Sequence, residues 1–202
     1  MSRPTHAAMV RAILAVYAQA EQADLDDGRT WYPRAHALVV QWAETFGRSI
    51  ANVASVVAAL SPQVDWSSNL VIAADVLHGN PPSLNGYIRT NLAKACTIRD
   101  EHLPNTLSVF KQGCKVANFA ANLAGNWTTA VTVDTHAAQV AAGSPLANLR
   151  VDTWLRYEPV HAAYCAAARR VGMPPAFLQA ITWHTWKRLY PRDRKRNIRR
   201  QW

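Results

Sequence analysis

The sequence predicts an all-α protein, and three observations carry that reading. No segment alternates apolar and polar residues long enough to build a sheet, whereas apolar residues recur at helical spacing along most of the chain. Capping residues precede those segments, and glycine or proline follows them. Half of the 202 residues are hydrophobic and evenly spread, enough for one domain with a sizeable core.

Each element has a local reason. Thr5 can cap a helix reaching about residue 23, with Met9, Ile13, Val16 and Tyr17 on one face. Residues 24–30, acidic and containing Gly28, read as a loop. Residues 34–46 read as a second helix, stopped by Gly47. Ser49 caps a third over 50–60, which Ser61-Pro62 breaks. Asp65 caps the next over 66–77, ending before Gly79-Asn80-Pro81-Pro82. Further helices are expected over 91–100, 105–110 (short), 113–123, 156–171 and 175–190, about ten in all. Residues 125–132 form a connection leading to Asp134.

Composition narrows the function. No run of eighteen apolar residues is present, so no membrane span is expected. The start, Met1-Ser2-Arg3-Pro4-Thr5-His6, lacks a signal-peptide pattern, and three cysteines without a framework fit a reducing cytoplasm. Cys96, Cys114 and Cys165 have no metal-ligand spacing, so neither a metal nor a cofactor is expected, and isolated His136 and His184 do not change that. Net charge is +9, of which +7 lies between Trp186 and Trp202: eight Lys/Arg, including Arg194, Lys195 and Arg196, against Asp193. A basic tail over 191–202 reads as a grip on phosphates, a reading favoured over a solubilising or membrane-surface segment.

One constellation carries chemistry. Gly113-Cys114-Lys115-Val116-Ala117-Asn118 is followed by Val133-Asp134-Thr135-His136, with Asp134 nineteen residues beyond Lys115. An amine and a carboxylate therefore stand at the starts of two helical segments. In its neutral form a lysine is a nucleophile, and an aspartate supplies negative charge where an oxocarbenium-like centre develops. Singly, each has a plainer reading: Asp134 as the N-cap of the apolar stretch 137–142, Lys115 as a solvated residue beside a turn glycine.

Together with Leu60-Ser61-Pro62-Gln63-Val64-Asp65 upstream, these motifs resemble the helix-hairpin-helix DNA glycosylases (HhH-GPD superfamily) of the endonuclease III type. That family carries its catalytic lysine in L-P-G-V-G-x-K-T-A-N, its catalytic aspartate in a following V-D-T-H, and a gap-filling glutamine in L-S-A-Q-x-T-D. The three matches keep the family's order over about 53–142. Phe110 and Lys111 replace the hairpin's proline and first glycine, and the four-cysteine iron–sulfur cluster of many relatives is absent.

The resemblance implies a two-lobed helical fold with its cleft between the lobes, lobe one about 1–48 plus 131–190 and lobe two about 49–130 with the hairpin at 109–115. It implies Lys115 and Asp134 as catalytic residues facing each other across that cleft. Gln63 would fill the gap left by a flipped nucleotide, though it also reads as a turn residue. Trp66 is the best placed of eight tryptophans to wall the base pocket, with Trp31 and Tyr32 behind it, although most tryptophans are core residues. Lys111, Gly113, His136 and the basic tail would contact DNA. The implied activity is a DNA glycosylase with lysine-dependent AP lyase activity, working as a monomer on double-stranded DNA in a bacterial or phage-infected cytoplasm. The alternatives are a phage enzyme of the same fold that modifies a hypermodified pyrimidine, a non-catalytic DNA-binding module, and a helical interaction protein.

Overall fold

The computed structural model describes residues 4–101, 109–110, 114–147 and 156–191. Among them are nine helices and no strand: α1 (His6–Tyr17), α2 (Gln22–Thr45), α3 (Ile50–Leu60), α4 (Trp66–His78), α5 (Arg89–Glu101), α6 (Lys115–Leu123), α7 (Thr135–Ala142), α8 (Tyr157–Val171) and α9 (Pro175–Leu189). The protein is all-α, as expected. The short helix expected over 105–110 lies outside the described residues apart from Val109 and Phe110, and Phe110 is buried.

The caps act where the sequence put them. The side chains of Thr5, Ser49, Asp65 and Asp134 accept from the backbone N–H three residues on, at 3.2, 3.1, 3.0 and 2.8 Å. Each satisfies one of the four N–H groups that a helix start leaves without an intrahelical acceptor.

One expectation is overturned. Residues 24–30 are not a loop, and the first helix does not reach residue 23. Helix α1 ends at Tyr17, and α2 begins at Gln22 and runs unbroken through the acidic stretch. Asp24 accepts from the Glu21 N–H at 3.0 Å, and acidic side chains in a first turn are favoured by the helix dipole. The glycine that suggested a loop has a packing cause. A Cβ at Gly28 would lie 2.5 Å from the Ile181 Cα, so α2 and α9 touch backbone to backbone there.

Two apolar clusters form the interior. One joins the later part of α2 (Tyr32, Ala35, Val39, Ala43) to α3, α4, α5 and α6. The other joins α1, α7 and α8 through residues such as Ile13, Val140, Ala163 and Tyr164. Helix α9 serves both, giving Ala176 and Ala180 to the first and Leu178 and Trp186 to the second. Helix α3 is buried from Asn52 to Leu60, with Val53, Val56 and Val57 at 0% exposure, each worth about 1.5–3 kcal/mol of burial. Helices α2, α4, α5 and α6 pack against it.

Candidate functional site

A cleft of about 440 Å³ opens where α2, α4, α6, α7 and α9 meet. Three of those helices begin at it: Asp65 caps α4, Lys115 is the first residue of α6, and Asp134 caps α7. Helix starts carry partial positive charge and free N–H groups, so their convergence favours an anionic ligand. Helix α9 lays one stripe along the wall, Gln179, Ala180, Trp183, His184 and Lys187, spaced three to four residues apart as one helical face requires.

The cleft brings together both residues assigned to chemistry, Lys115 and Asp134. Asp134 is held on two sides. Its Oδ1 accepts from Ala137 N at 2.8 Å, and its Oδ2 accepts from the Trp183 indole Nε1 at 3.1 Å. Lys115 is half-buried. Among the described residues the ion pairs are Arg34–Asp27, Arg99–Asp100 and Arg188 with Glu21 and Asp24, so Lys115 and Asp134 share the cleft without a salt bridge within 4.0 Å. The amine is therefore not tied to the carboxylate.

The segment that delivers Asp134 is braced from both directions. Asn118 donates through Nδ2 to the Cys114 carbonyl at 3.1 Å and accepts through Oδ1 from Val131 N at 3.3 Å, which fixes the start of α6 to the strand-like approach to α7. Tyr157 donates to the Val131 carbonyl at 2.5 Å and accepts from Val133 N at 3.2 Å. The buried Asn122 amide bridges the Asn126 and Ala130 carbonyls and accepts from the Thr132 hydroxyl at 3.0 Å. Buried bonds of this kind contribute about 1 kcal/mol each, and each costs more if one partner is removed.

The floor and walls are aromatic. Trp31 lies 5.2 Å from Trp66 and 6.0 Å from Phe119, centroid to centroid, and meets Tyr32 edge-on at 4.8 Å. Trp31, Tyr32, Trp66 and Phe119 all line the cleft. Burial pushes the Tyr32 hydroxyl well above its ordinary pKa, and the charge of Asp134 adds to that, so Tyr32 stays protonated and donates to Gln179 Oε1 at 3.0 Å. Burial also holds the His184 imidazole below its ordinary value, with Asp27 opposing and Lys187 reinforcing that shift. Lys187 sits over the Trp183 ring, 4.1 Å from its centroid.

The remaining residues assigned from sequence divide in four ways. Trp66 is in the wall. Gln63 is exposed at the rim, between Ser61 and Val64 that line the cleft, and holds φ at +67°, a conformation that disfavours any side chain but glycine. His136 is not part of the lining; its ring packs edge-on to Trp183 at 5.9 Å. Lys111, Gly113, Arg194, Lys195 and Arg196 lie outside the described residues. Among the described residues no three His, Cys, Asp or Glu side chains are placed to hold a metal ion, and no helix is long and apolar enough to cross a membrane.

A family model matches residues 1–189. The chain belongs to DUF7178, a family of unknown function. The match covers every described helix, so the cleft lies within the region that defines the family. No curated protein and no solved structure matches the chain.

The sequence reading missed Gln179, Trp183, Lys187, Phe119 and Asn69 as cleft residues. A signal was available for three of them. Gln179, Trp183 and Lys187 recur at intervals of four, an amphipathic stripe with an amide, an indole and an amine where a purely structural helix would carry aliphatics.

Proposed function

We propose that this protein is a DNA glycosylase with lysine-dependent AP lyase activity, acting on a nucleotide turned out of double-stranded DNA into the cleft. The observation that carries the reading is the placement of Lys115 and Asp134, unpaired with each other, in one cleft walled by Trp31, Trp66 and Phe119. Unstacking a nucleotide costs a few kcal/mol. Stacking on an aromatic side chain returns about 1–3 kcal/mol per base, and a residue entering the vacated stack supplies more. Gln63, exposed at the rim, is the residue assigned to that insertion.

Lys115 Nζ in its neutral form attacks C1′. The C1′–N bond breaks as the N–C1′ bond forms, and the base leaves with the electron pair and takes a proton from solvent. Loss of a proton from the new ammonium and opening of the sugar ring, with O4′ taking up a proton from solvent, give an iminium; loss of a C2′ proton to solvent, with departure of the 3′ phosphate, then cleaves the strand. Asp134, held by a helix start and an indole, keeps its negative charge directed at the cleft, where positive charge develops on the sugar. Both oxygens already accept a hydrogen bond, which suits a carboxylate that stabilises charge better than one that must take up a proton. The two other helix starts and Lys187 supply positive potential for the flanking phosphates.

The test is borohydride trapping against duplexes carrying uracil, thymine glycol, 8-oxoguanine, hydroxymethyluracil, mismatches and an abasic site. The expected result is a covalent adduct on at least one duplex that is lost in Lys115→Ala while duplex binding persists. Adduct formation undiminished in Lys115→Ala overturns the nucleophile assignment. Tight binding with no adduct and no base release from any duplex overturns the glycosylase reading, leaving a base-modifying enzyme of the same fold or a DNA-binding module.

A further inference from the structure

Two primary amides in the cleft wall are each half used. Asn69 is 1% exposed and Gln179 4% exposed, and both line the cleft. Asn69 donates through Nδ2 to the Val57 carbonyl at 3.1 Å, and among the described residues its buried Oδ1 accepts from no donor. Gln179 accepts through Oε1 from the Tyr32 hydroxyl at 3.0 Å, and among the described residues its Nε2 donates to nothing. Buried polar side chains in folded proteins are nearly always satisfied. Here the protein fixes one end of each amide and leaves over one acceptor and one donor.

We infer that Asn69 and Gln179 read the edge of a nucleobase, Asn69 Oδ1 accepting from an N–H of the base and Gln179 Nε2 donating to an adjacent carbonyl or ring nitrogen. This rests on the reading of the cleft as the pocket for a flipped nucleotide, and it assigns the residues that select the base. The ligand class is a planar heterocycle carrying one donor beside one acceptor. The surrounding rings fit its faces, since Trp31, Trp66 and Phe119 line the same cleft. The fixed halves matter as much as the free ones. Val57 belongs to the sealed helix α3, and Tyr32 is 3% exposed, so neither amide can turn over without losing a buried bond. Rigid amides discriminate, because a base that lacks the matching group leaves them unpaired.

Affinity is measured for free nucleosides in pairs that differ only by methylation of the pairing edge: uridine and 3-methyluridine, cytidine and N4,N4-dimethylcytidine, guanosine and 1-methylguanosine, adenosine and N6,N6-dimethyladenosine. Saturable quenching of tryptophan emission reports binding, and saturation-transfer NMR confirms which protons touch the protein. The expected result is that at least one parent nucleoside binds and its methylated partner binds at least tenfold more weakly. Gln179→Glu keeps an oxygen for the Tyr32 hydroxyl and removes the donor facing the cleft, so it should weaken the parent about tenfold, and methylation, which removes the N–H that Asn69 accepts, should weaken binding to the variant further. Equal affinity within every pair, or no saturable binding by any parent, overturns the inference, and the ligand-side comparison decides it even if the variant does not fold. The outcome is separable from that of the glycosylase reading. Edge-selective nucleoside binding without base release from any duplex leaves the inference standing and sinks the activity. Base release that is indifferent to edge methylation does the reverse.

Discussion

The indole of Trp183 donates to Asp134 Oδ2 at 3.1 Å across 49 residues of sequence, and it is the only side chain among the described residues that hydrogen-bonds this carboxylate. The other oxygen is occupied by the helix that Asp134 caps. Trp183 therefore sets the direction of the charge, and Lys187 lies over its ring, 4.1 Å from the centroid.

A hydrogen bond to a charged group is worth about 1.5–3 kcal/mol, and about 1.4 kcal/mol is a factor of ten in rate. Trp183→Phe keeps the ring and removes the donor. It is expected to slow base release by about tenfold or more while duplex affinity changes little. Single-turnover release and fluorescence anisotropy separate the two. A loss confined to affinity would show that Trp183 contacts DNA and does not act through Asp134.

Asp134 has two roles that substitution can divide. Asparagine caps helices about as well as aspartate, whereas alanine loses about 1 kcal/mol. Asp134→Asn should therefore fold with a denaturation midpoint near that of the parent and lose most activity. Asp134→Ala should lose activity and stability together. If Asp134→Asn retains full base release, the carboxylate is a cap and nothing more.

Local signals were read correctly where short-range chemistry decides them. The caps at Thr5, Ser49, Asp65 and Asp134 depend on one residue and an N–H three positions on, and a sequence displays both. The start of α2 failed because its deciding facts are distant. Gly28 looks like a loop residue until Ile181, far along the chain, is placed against it. The site shows the same division. Lys115 and Asp134 were legible as short motifs, and Trp66 from its place beside one. Trp183 and Gln179 were not, because a residue on α9 acquires a role only when α9 is laid across the starts of α6 and α7. Asn118 stood inside a quoted motif with no assigned task. Its two hydrogen bonds now explain why an amide belongs there.

Gly28 offers a test of the α2–α9 contact. Glycine within a helix is about 1 kcal/mol worse than alanine, so Gly28→Ala should stabilise α2 if nothing else intervened. A Cβ there meets the Ile181 N and Cα at 2.5 Å, both backbone atoms that cannot rotate away. Overpacking of this kind costs about 1–3 kcal/mol, and the clash outweighs the propensity gain. The variant should melt at a lower temperature than the parent. Because α9 carries Gln179 and Trp183, it should also release base more slowly. A higher melting temperature would mean that the helices separate freely.

Arg188 ties the end of α9 to the start of α2, donating to Asp24 Oδ2 at 2.8 and 2.9 Å and pairing with Glu21 at 3.0 Å. Burial works to raise the Asp24 carboxyl, but the bonds from Arg188 and the Glu21 N–H outweigh it and hold the group below its ordinary 3.8. A carboxyl depressed in the fold contributes stability above its unfolded value and loses it as pH falls through the folded one. The contribution is thus complete at pH 6 and drains away below about pH 4. Arg188→Ala should lower the urea midpoint clearly at pH 6 and much less at pH 2.5. Equal loss at both values would make the contact one of packing by the arginine stem.

Gln63 holds a left-handed backbone at the cleft rim with its side chain in solvent. That conformation costs an L-residue about 1–2 kcal/mol, and local strain of this kind persists where the surroundings impose it, often at functional sites. Glycine adopts the conformation freely but gives up about 0.5–1 kcal/mol to the extra freedom of its unfolded chain. Gln63→Gly should therefore be as stable as the parent or slightly more so, while losing the side chain that the proposed function assigns to the vacated stack. Base release from duplex DNA should fall. Release from a single strand carrying the same base, which has no gap to fill, should be nearly unchanged. Equal losses on both substrates would remove Gln63 from the insertion role and leave its strained backbone as a device for turning the chain from α3 into α4.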